Sequence, residues 1–249
     1  MATVASTLFR LNRGYVAVTG PEAADFLERM LSNEVASLEP GAARPALLLT
    51  PKGRIIAPLR IVREAQDAFL LITEAELAEP VASALVRARF AAKCEIETKP
   101  YRGYLHIGGG EGIPNDDYGV EAYETWGEDE RDAADPSELE ALRVQAGTPA
   151  WGMELDETVL PAEAGLDETH ISFTKGCYPG QEPVARLHYR GHPNRELRVL
   201  EIDANPGDEL VYVGKAVGRI TSAVPGRALG YVRREVPVEA RLHLNPARP

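Results

Sequence analysis

Lys175-Gly176-Cys177-Tyr178-Pro179-Gly180-Gln181-Glu182, continued by Val184-Ala185-Arg186, carries more chemistry per residue than any other stretch of the chain. A cation, a thiol, a phenol, an amide and a carboxylate stand among glycines and a proline, so few of these side chains can fill a core. Gly176 and Gly180 permit positive φ and close approach of another group, and Pro179 stiffens the turn between them. The pattern predicts a tight loop that presents polar side chains. A plain surface turn with solvated charges would use the same glycines and proline, and it stands as the alternative. The density of reactive groups favours a site. Free cysteine is ordinarily a small buried hydrophobe, yet Cys177 has polar neighbours and lies two residues from Lys175, whose ammonium would favour the thiolate. Exposure decides whether that thiol is reactive.

Outward from this stretch, residues 175–198 carry Lys175, Arg186, Arg190, Arg195 and Arg198 against only Glu182 and Glu196. The whole chain has a net charge of -11, which argues against a general nucleic-acid binder, because phosphate backbones reward basic surfaces. A local basic rim on an acidic protein suits a small anionic ligand. An edge strand protected by arginines would look the same by charge alone. His188 and His192 stand four apart, the spacing of metal ligands on one helix face, but Gly191 and Pro193 argue against a helix there and no carboxylate completes a set. No metal site is expected.

Cys94 and Cys177 are far apart, which is neither a disulfide framework nor a zinc pattern, and two thiols cannot alone hold an iron–sulfur cluster. Cluster chemistry would have to be done on a partner or across a dimer. With 249 residues the chain can form one large domain or two to three small ones, and its 44% apolar and 26% charged content is that of an ordinary globular protein. No run of about 18 apolar residues occurs. The expectation is a soluble, cytoplasmic protein without membrane partners.

Residues 14–19 alternate as a strand, and Ala23, Phe26, Leu27, Met30 and Leu31 recur at helical spacing after Pro21. Apolar runs at 46–49, 55–62 and 69–72, separated by turn signals, predict an antiparallel meander. Thr73 and Glu76 suggest a capping box for a second helix along Leu77, Val81, Leu85 and Ala88, in which Pro80 predicts a kink or a later start. Residues 94–98 read as a strand with Cys94 in the core, and 101–107 as another. Residues 108–119 read as a loop, whose Gly108-Gly109-Gly110 lacks any phosphate-cradle continuation. Asp135, Pro136 and Glu138 open a helix that Gly147 ends. From Arg195 onward, short β-type runs punctuated by Asn205-Pro206-Gly207, Gly214-Lys215 and Pro225-Gly226 suggest a small β-barrel or sandwich. No Gly-x-Ser-x-Gly elbow or other hydrolase pattern is present.

The stretch from Lys175 to Glu182 with Val184-Ala185-Arg186 resembles the signature of the YgfZ family of folate-binding proteins, relatives of the glycine-cleavage T-protein. Phe26-Leu27, Ser32-Asn33-Glu34-Val35, Arg143-Val144-Gln145-Ala146-Gly147, Leu160-Pro161, Glu163-Ala164 and the run from Gly214 to Ser222 agree with it, so the resemblance covers most of the chain. It implies an α+β fold: a ferredoxin-like α/β region (1–100), a middle domain ending in the signature loop (101–190) and a C-terminal antiparallel β-barrel (191–249), set around a folate channel. Tetrahydrofolate or a one-carbon derivative is the implied cofactor, and iron–sulfur proteins are the implied partners. Cys177 would be the key thiol, with Lys175 beside it as a catalytic group. Gln145, Tyr178, Gly180, Gln181, Glu182 and Arg186 would bind the cofactor.

The departures from the T-protein are as informative. Where that enzyme carries a functional aspartate pair, this chain has Ala57-Pro58, and neither can orient or deprotonate a reacting amine. Where it has a glutamate facing the pterin, this chain has Gln145, an amide that still donates and accepts hydrogen bonds. The resemblance therefore implies a folate-dependent factor for assembly or repair of iron–sulfur enzymes, including those that modify tRNA. An aminomethyltransferase or folate-dependent demethylase with a substitute carboxylate such as Glu182 is the enzymatic alternative. A non-catalytic adaptor with an empty channel is the third.

Overall fold

The computed structural model describes residues 7–245. Its first half contains β1 (Thr7–Leu11), β2 (Arg13–Thr19), α1 (Ala23–Met30), β3 (Ala43–Leu49), β4 (Ile55–Ala65), β5 (Ala68–Glu74), α2 (Ala78–Ala88) and β6 (Glu95–Lys99). There follow β7 (Arg102–Ile107), β8 (Ile113–Pro114), β9 (Ala122–Gly127), α3 (Ser137–Ala146) and α4 (Gln181–Arg190). The last elements are β10 (Arg195–Leu200), β11 (Glu209–Tyr212), β12 (Lys215–Val224), β13 (Arg227–Arg233) and β14 (His243–Asn245). The strands form three antiparallel sheets in a mixed α/β fold.

The first sheet has the order β3-β4-β5-β2-β6. With α1 following β2 and α2 following β5, strands β4, β5, β2 and β6 have β–α–β–β–α–β connectivity, the ferredoxin-like arrangement, and β3 adds one edge strand. Period-two alternation gives the sheet two different faces. Val16, Val18, Ala57, Leu59, Ile61, Phe69 and Leu71 pack with Phe26 and Leu27 of α1 and with Val81 and Leu85 of α2. The opposite face carries Tyr15, Ala17, Val62, Leu70 and Ile72, packed against Ile113, Tyr101 and Trp126. Cys94 is buried in the helix-side core, and burial pushes its thiol pKa up.

The second sheet, β1-β7-β9-β8, joins residues 7–11 to the strands that follow residue 100. The third has the order β10-β13-β12-β11-β14 around Leu210, Ile220, Ala228 and Val232. Among the described residues β10 and β14 do not pair with each other, so the backbone pairing of the expected barrel is that of an open sheet.

Several local expectations change. Thr73 is still within β5 and its hydroxyl donates to the Pro58 carbonyl at 2.8 Å, so it caps no helix. A 3₁₀ turn over Ala75–Leu77 precedes α2 instead, and Pro80 falls in the first helical turn, where its missing N–H removes no bond. The segment after Gly180 is helical through Arg190, so His188 and Arg186 are on a helix and His192 lies beyond its end. Pro183 is tolerated for the same first-turn reason as Pro80. Arg195 and Arg198 are on β10, an edge strand. The α3 boundaries follow their signals, with Asp135 accepting from Ser137 N–H at 2.8 Å and Gly147 closing the helix at φ 81°.

Candidate functional site

The sheet face turned away from the helices forms the floor of a cavity of about 450 Å³. Register places Pro45, Arg60, Ile72 and Tyr15 in one cross-strand row, with Leu47 opposite Pro58 and Arg13 opposite Glu74 alongside. Pro114 and Glu124 of the second sheet, with Asp117 of the turn between β8 and β9, form another wall, and residues 147–149, 164–166 and 169–170 help complete the enclosure. The volume is within the range of small-molecule sites, roughly 300–1,000 Å³. No helix is long and apolar enough to cross a membrane among the described residues, and no group of His, Cys, Asp and Glu is arranged to hold a metal.

Charge in this cavity is concentrated at one end. Arg13 donates to Glu74 at 2.9 Å and to Asp117 at 3.1 Å, and its Nε lies 3.6 Å from Glu124 Oε1. Arg60 donates to the other oxygen of Asp117 at 3.2 Å and to the Pro114 carbonyl at 2.6 Å. Burial by itself would lower the Arg13 pKa, but Glu124, Glu74 and Asp117 together hold it well above its usual value. Burial raises Glu74, against the pull of Arg13. Across the cavity, burial pushes His170 down to about 4, so a neutral imidazole faces the ligand space at neutral pH.

The signature stretch lies elsewhere. Among the described residues, Gln145, Lys175, Cys177, Tyr178, Gly180, Gln181, Glu182 and Arg186 are absent from the lining of this cavity. Lys175 has a side chain only 1% exposed and donates to the carbonyls of Glu28, Leu31 and Asn33 at 2.7, 2.8 and 2.7 Å, with Glu28 Oε1 at 3.3 Å. It therefore closes the carbonyl end of α1, where a cation is favoured. Burial lowers its pKa, and Glu28 opposes that shift. Its ammonium is committed to this cap rather than to Cys177, which is exposed.

The loop is held from its other end by two glycine turns in contact. Gly180 has φ 85°, and a Cβ there would stand 2.5 Å from the Thr50 carbonyl oxygen and 3.1 Å from Gly53 Cα. Tyr178 packs with Leu47, Leu49, Ile55 and Val184, and its buried hydroxyl has no hydrogen-bond partner on the protein. Burial pushes that phenol up to about 12. Gln181 is half-buried, while Glu182 and Arg186 are exposed on α4. Gln145 is exposed on α3.

Several of the other stretches that agree with the family pattern tie loops and helices to the sheets. Ser32 N–H donates to the Leu47 carbonyl, its hydroxyl donates to the His170 carbonyl at 2.6 Å, and Ser172 N–H donates to the Ser32 carbonyl. Arg143 connects α3 to Glu154 at 2.9 Å and to Ser222 of β12 at 2.8 Å. Glu163 accepts from Leu160 N–H at 3.1 Å and from Arg195 at 3.3 Å. Sequence reasoning missed Glu124 and Asp117 altogether. Nothing around Glu124 marks it, because in Tyr123-Glu124-Thr125-Trp126-Gly127-Glu128 it reads like any solvated acid.

The family described as the GCVT N-terminal domain matches residues 11–102, the segment that forms the helix-covered sheet. The iron–sulfur cluster assembly factor IBA57 of Mus musculus mitochondria is 27% identical over 295 aligned positions, covering 97% of this chain and 81% of that protein. The tRNA-modifying protein YgfZ of Yersinia enterocolitica is 41% identical over 66 residues, which is 26% of this chain and 20% of that one. In fold, the chain is similar to the glycine cleavage system aminomethyltransferase T of Bartonella henselae, with a TM-score of 0.84 at 21% identity, covering 96% of this chain and 82% of that one. Together with the signature stretch, these matches make the chain similar to YgfZ-type and GcvT-like proteins, with residues 11–102 matching the GCVT N-terminal domain.

Proposed function

We propose that the chain binds a reduced folate in the cavity between its sheets and supports the assembly or repair of iron–sulfur enzymes, tRNA-modifying ones among them. The observation that carries this reading is the position of Pro58. It lines the cavity, while Ala57 is buried on the helix side of the same strand. If the aspartate pair of the T-protein falls at these positions, the wall that would bear its carboxylate is apolar here. Binding is retained and aminomethyl transfer is not. Glu182, the substitute carboxylate of the enzymatic alternative, is on α4 outside the cavity.

The cavity residues suit the ligand. Pro58, Leu59, Ile72, Leu155 and Leu166 offer flat and branched apolar walls to a heterocycle and its aryl linker. The other end of the cavity is polar, lined by Arg13, Arg60, Glu74, Asp117 and Glu124. A bound folate would supply the one-carbon or redox chemistry. The chain supplies the enclosure, a neutral His170 and an exposed thiol. The names of IBA57 and YgfZ support extending this to iron–sulfur assembly and tRNA modification.

In this reading Cys177 acts on partners, with Glu182 and Arg186 of α4 beside it and Lys175 fixing the loop. Cells whose only copy is Cys177→Ala should lose most activity of their iron–sulfur tRNA-modifying enzymes, while the purified variant binds tetrahydrofolate as tightly as wild type. Full activity in those cells would remove the thiol from the function. Loss of folate binding by the variant would put the thiol in the cavity instead.

A further inference from the structure

We infer that the end of α2, with Phe90 as anchor and Arg87 and Lys93 as rim, is a docking knob for an apolar, acid-bordered pocket on the iron–sulfur protein that Cys177 serves. This rests on the partner reading above and adds to it a second contact, remote from the folate cavity. Phe90 directly follows the C-cap of α2, and its backbone is left-handed, with φ 47°. Glycine is the usual residue there, because a Cβ is crowded in this conformation. Phe90 recovers nothing by packing, since it is 93% exposed. A bulky apolar residue that is both strained and solvated in the free protein is accounted for by a contact with something else.

The surroundings of Phe90 define the partner's chemistry. Val86, one turn earlier, is 48% exposed and widens the apolar tip. Between Glu79 and Glu95 the chain has no acid but carries Arg87, Arg89 and Lys93. Arg89 is tied to the Cys94 carbonyl at 2.9 Å, while Arg87 and Lys93 are exposed. The acids are concentrated elsewhere: residues 101–140 hold twelve of them against Arg102 and Arg131, and Ile113 and Trp126 of this segment pack on the sheet face opposite α1 and α2. An acidic partner is repelled from that side and admitted on the helix side. One aromatic is a marginal anchor in a bilayer but a sufficient one in a protein pocket. Glu22, just before α1, accepts from Lys93 N–H at 3.0 Å, so the knob lies beside the start of α1, and Lys175 ties the signature loop to the end of that helix. The eight residues of α1 span about 12 Å. An ordinary interface of about 800 Å² per partner is wide enough to cover that distance.

The probe is the purified iron–sulfur tRNA-modifying enzyme whose activity is lost in cells carrying only Cys177→Ala, titrated calorimetrically with wild type, Phe90→Gly and the double variant Arg87→Glu/Lys93→Glu. Phe90→Gly should unfold roughly 2–4 °C higher than wild type, because glycine relieves the backbone. It should bind tetrahydrofolate as wild type does and the enzyme about 30-fold more weakly. The double charge reversal should weaken the enzyme about 10-fold and flatten the salt dependence of binding. Equal binding of the enzyme by wild type and Phe90→Gly overturns the inference while leaving the partner reading intact. A lowered unfolding temperature in Phe90→Gly also overturns it, since the side chain would then pack in the free protein. Full enzyme activity in the Cys177→Ala cells, or no binding of the enzyme by wild type, removes the partner reading and the knob with it. Phe90-dependent sedimentation with phosphatidylglycerol vesicles, or Phe90-dependent self-association, would assign the knob to a lipid surface or a second copy and overturn the inference if enzyme binding is unchanged.

Discussion

Replacing Lys175 with methionine should destabilise the protein by about 3–5 kcal/mol, lowering its unfolding temperature by roughly 10 °C. Methionine keeps the length of the apolar stem and lacks only the terminal nitrogen, so the loss isolates the ammonium. Without it the carbonyls of Glu28, Leu31 and Asn33 at the end of α1 lose their common donor in a buried place. Each charge-assisted bond of this kind contributes about 1.5–3 kcal/mol, and buried acceptors without partners add to the loss. Glu28 keeps its bonds from Val35 N–H at 2.6 Å and Ala36 N–H at 2.9 Å, but it loses the Lys175 cation 3.3 Å away. Calorimetric unfolding at neutral pH measures the effect. A change below about 1 kcal/mol would mean that the ammonium is not a structural cap, and would return Lys175 to the chemistry of Cys177.

A loss of similar size, again about 3–5 kcal/mol, is expected for Arg143→Met, by a different route. Arg143 donates to Glu140 at 2.7 and 2.8 Å, to the Thr148 carbonyl at 2.6 Å, to Glu154 at 2.9 Å and to Ser222 at 2.8 Å. Glu154 is completely buried, and its other partners are the Ser222 hydroxyl at 2.6 Å and Ala150 N–H at 3.0 Å. Removing the guanidinium leaves a buried carboxylate without a counter-charge, which is far more damaging than loss of an exposed ion pair. Because the network ties α3 to β12, and Tyr231 of β13 donates to the Glu154 carbonyl at 2.9 Å, the third sheet should loosen first. Hydrogen exchange would show this as a selective rise in the amides of β12 and β13. A loss of unfolding free energy below about 1 kcal/mol by urea titration, or exchange unchanged in those strands, would contradict it.

These two residues also show how far the sequence could be read. The helix-covered sheet was legible because its signals are local: alternation in residues 14–19, helical spacing from Ala23 to Leu31, and turn residues between the strands of the meander. The α3 boundaries were legible for the same reason. Lys175 was not, because its partners are about 140 residues earlier, and nothing near Cys177 reports that the ammonium is already committed. The α4 helix was hidden by Gly180, Pro183, Gly191 and Pro193, which read as loop residues although they stand at the cap, in the first turn and beyond the end. β1 and β9 escaped notice because each is completed by pairing with β7, a contact between distant segments.

The candidate site divides along the same line. Cys177 and its glycines form a contiguous run, so their density marked them, and the exposure of Cys177 is the property that density could not supply. The cavity is made of single residues from many elements: Arg13, Pro58, Arg60, Glu74, Asp117, Glu124 and His170. Apart from Pro58, which the comparison with the T-protein had marked, none belongs to a motif, and register and the packing of the sheets bring them to one place. Gln145 illustrates the reverse case, a residue singled out by family pattern whose side chain the fold leaves exposed.

The central claim is that the cavity holds a reduced folate, and anaerobic calorimetric titration of tetrahydrofolate into the wild-type protein tests it most directly. We expect saturable binding at one site per chain with a micromolar or lower Kd, roughly -8 kcal/mol or more favourable. Absence of binding at ligand concentrations that would saturate a micromolar site would contradict it and favour an adaptor that engages its partners without folate.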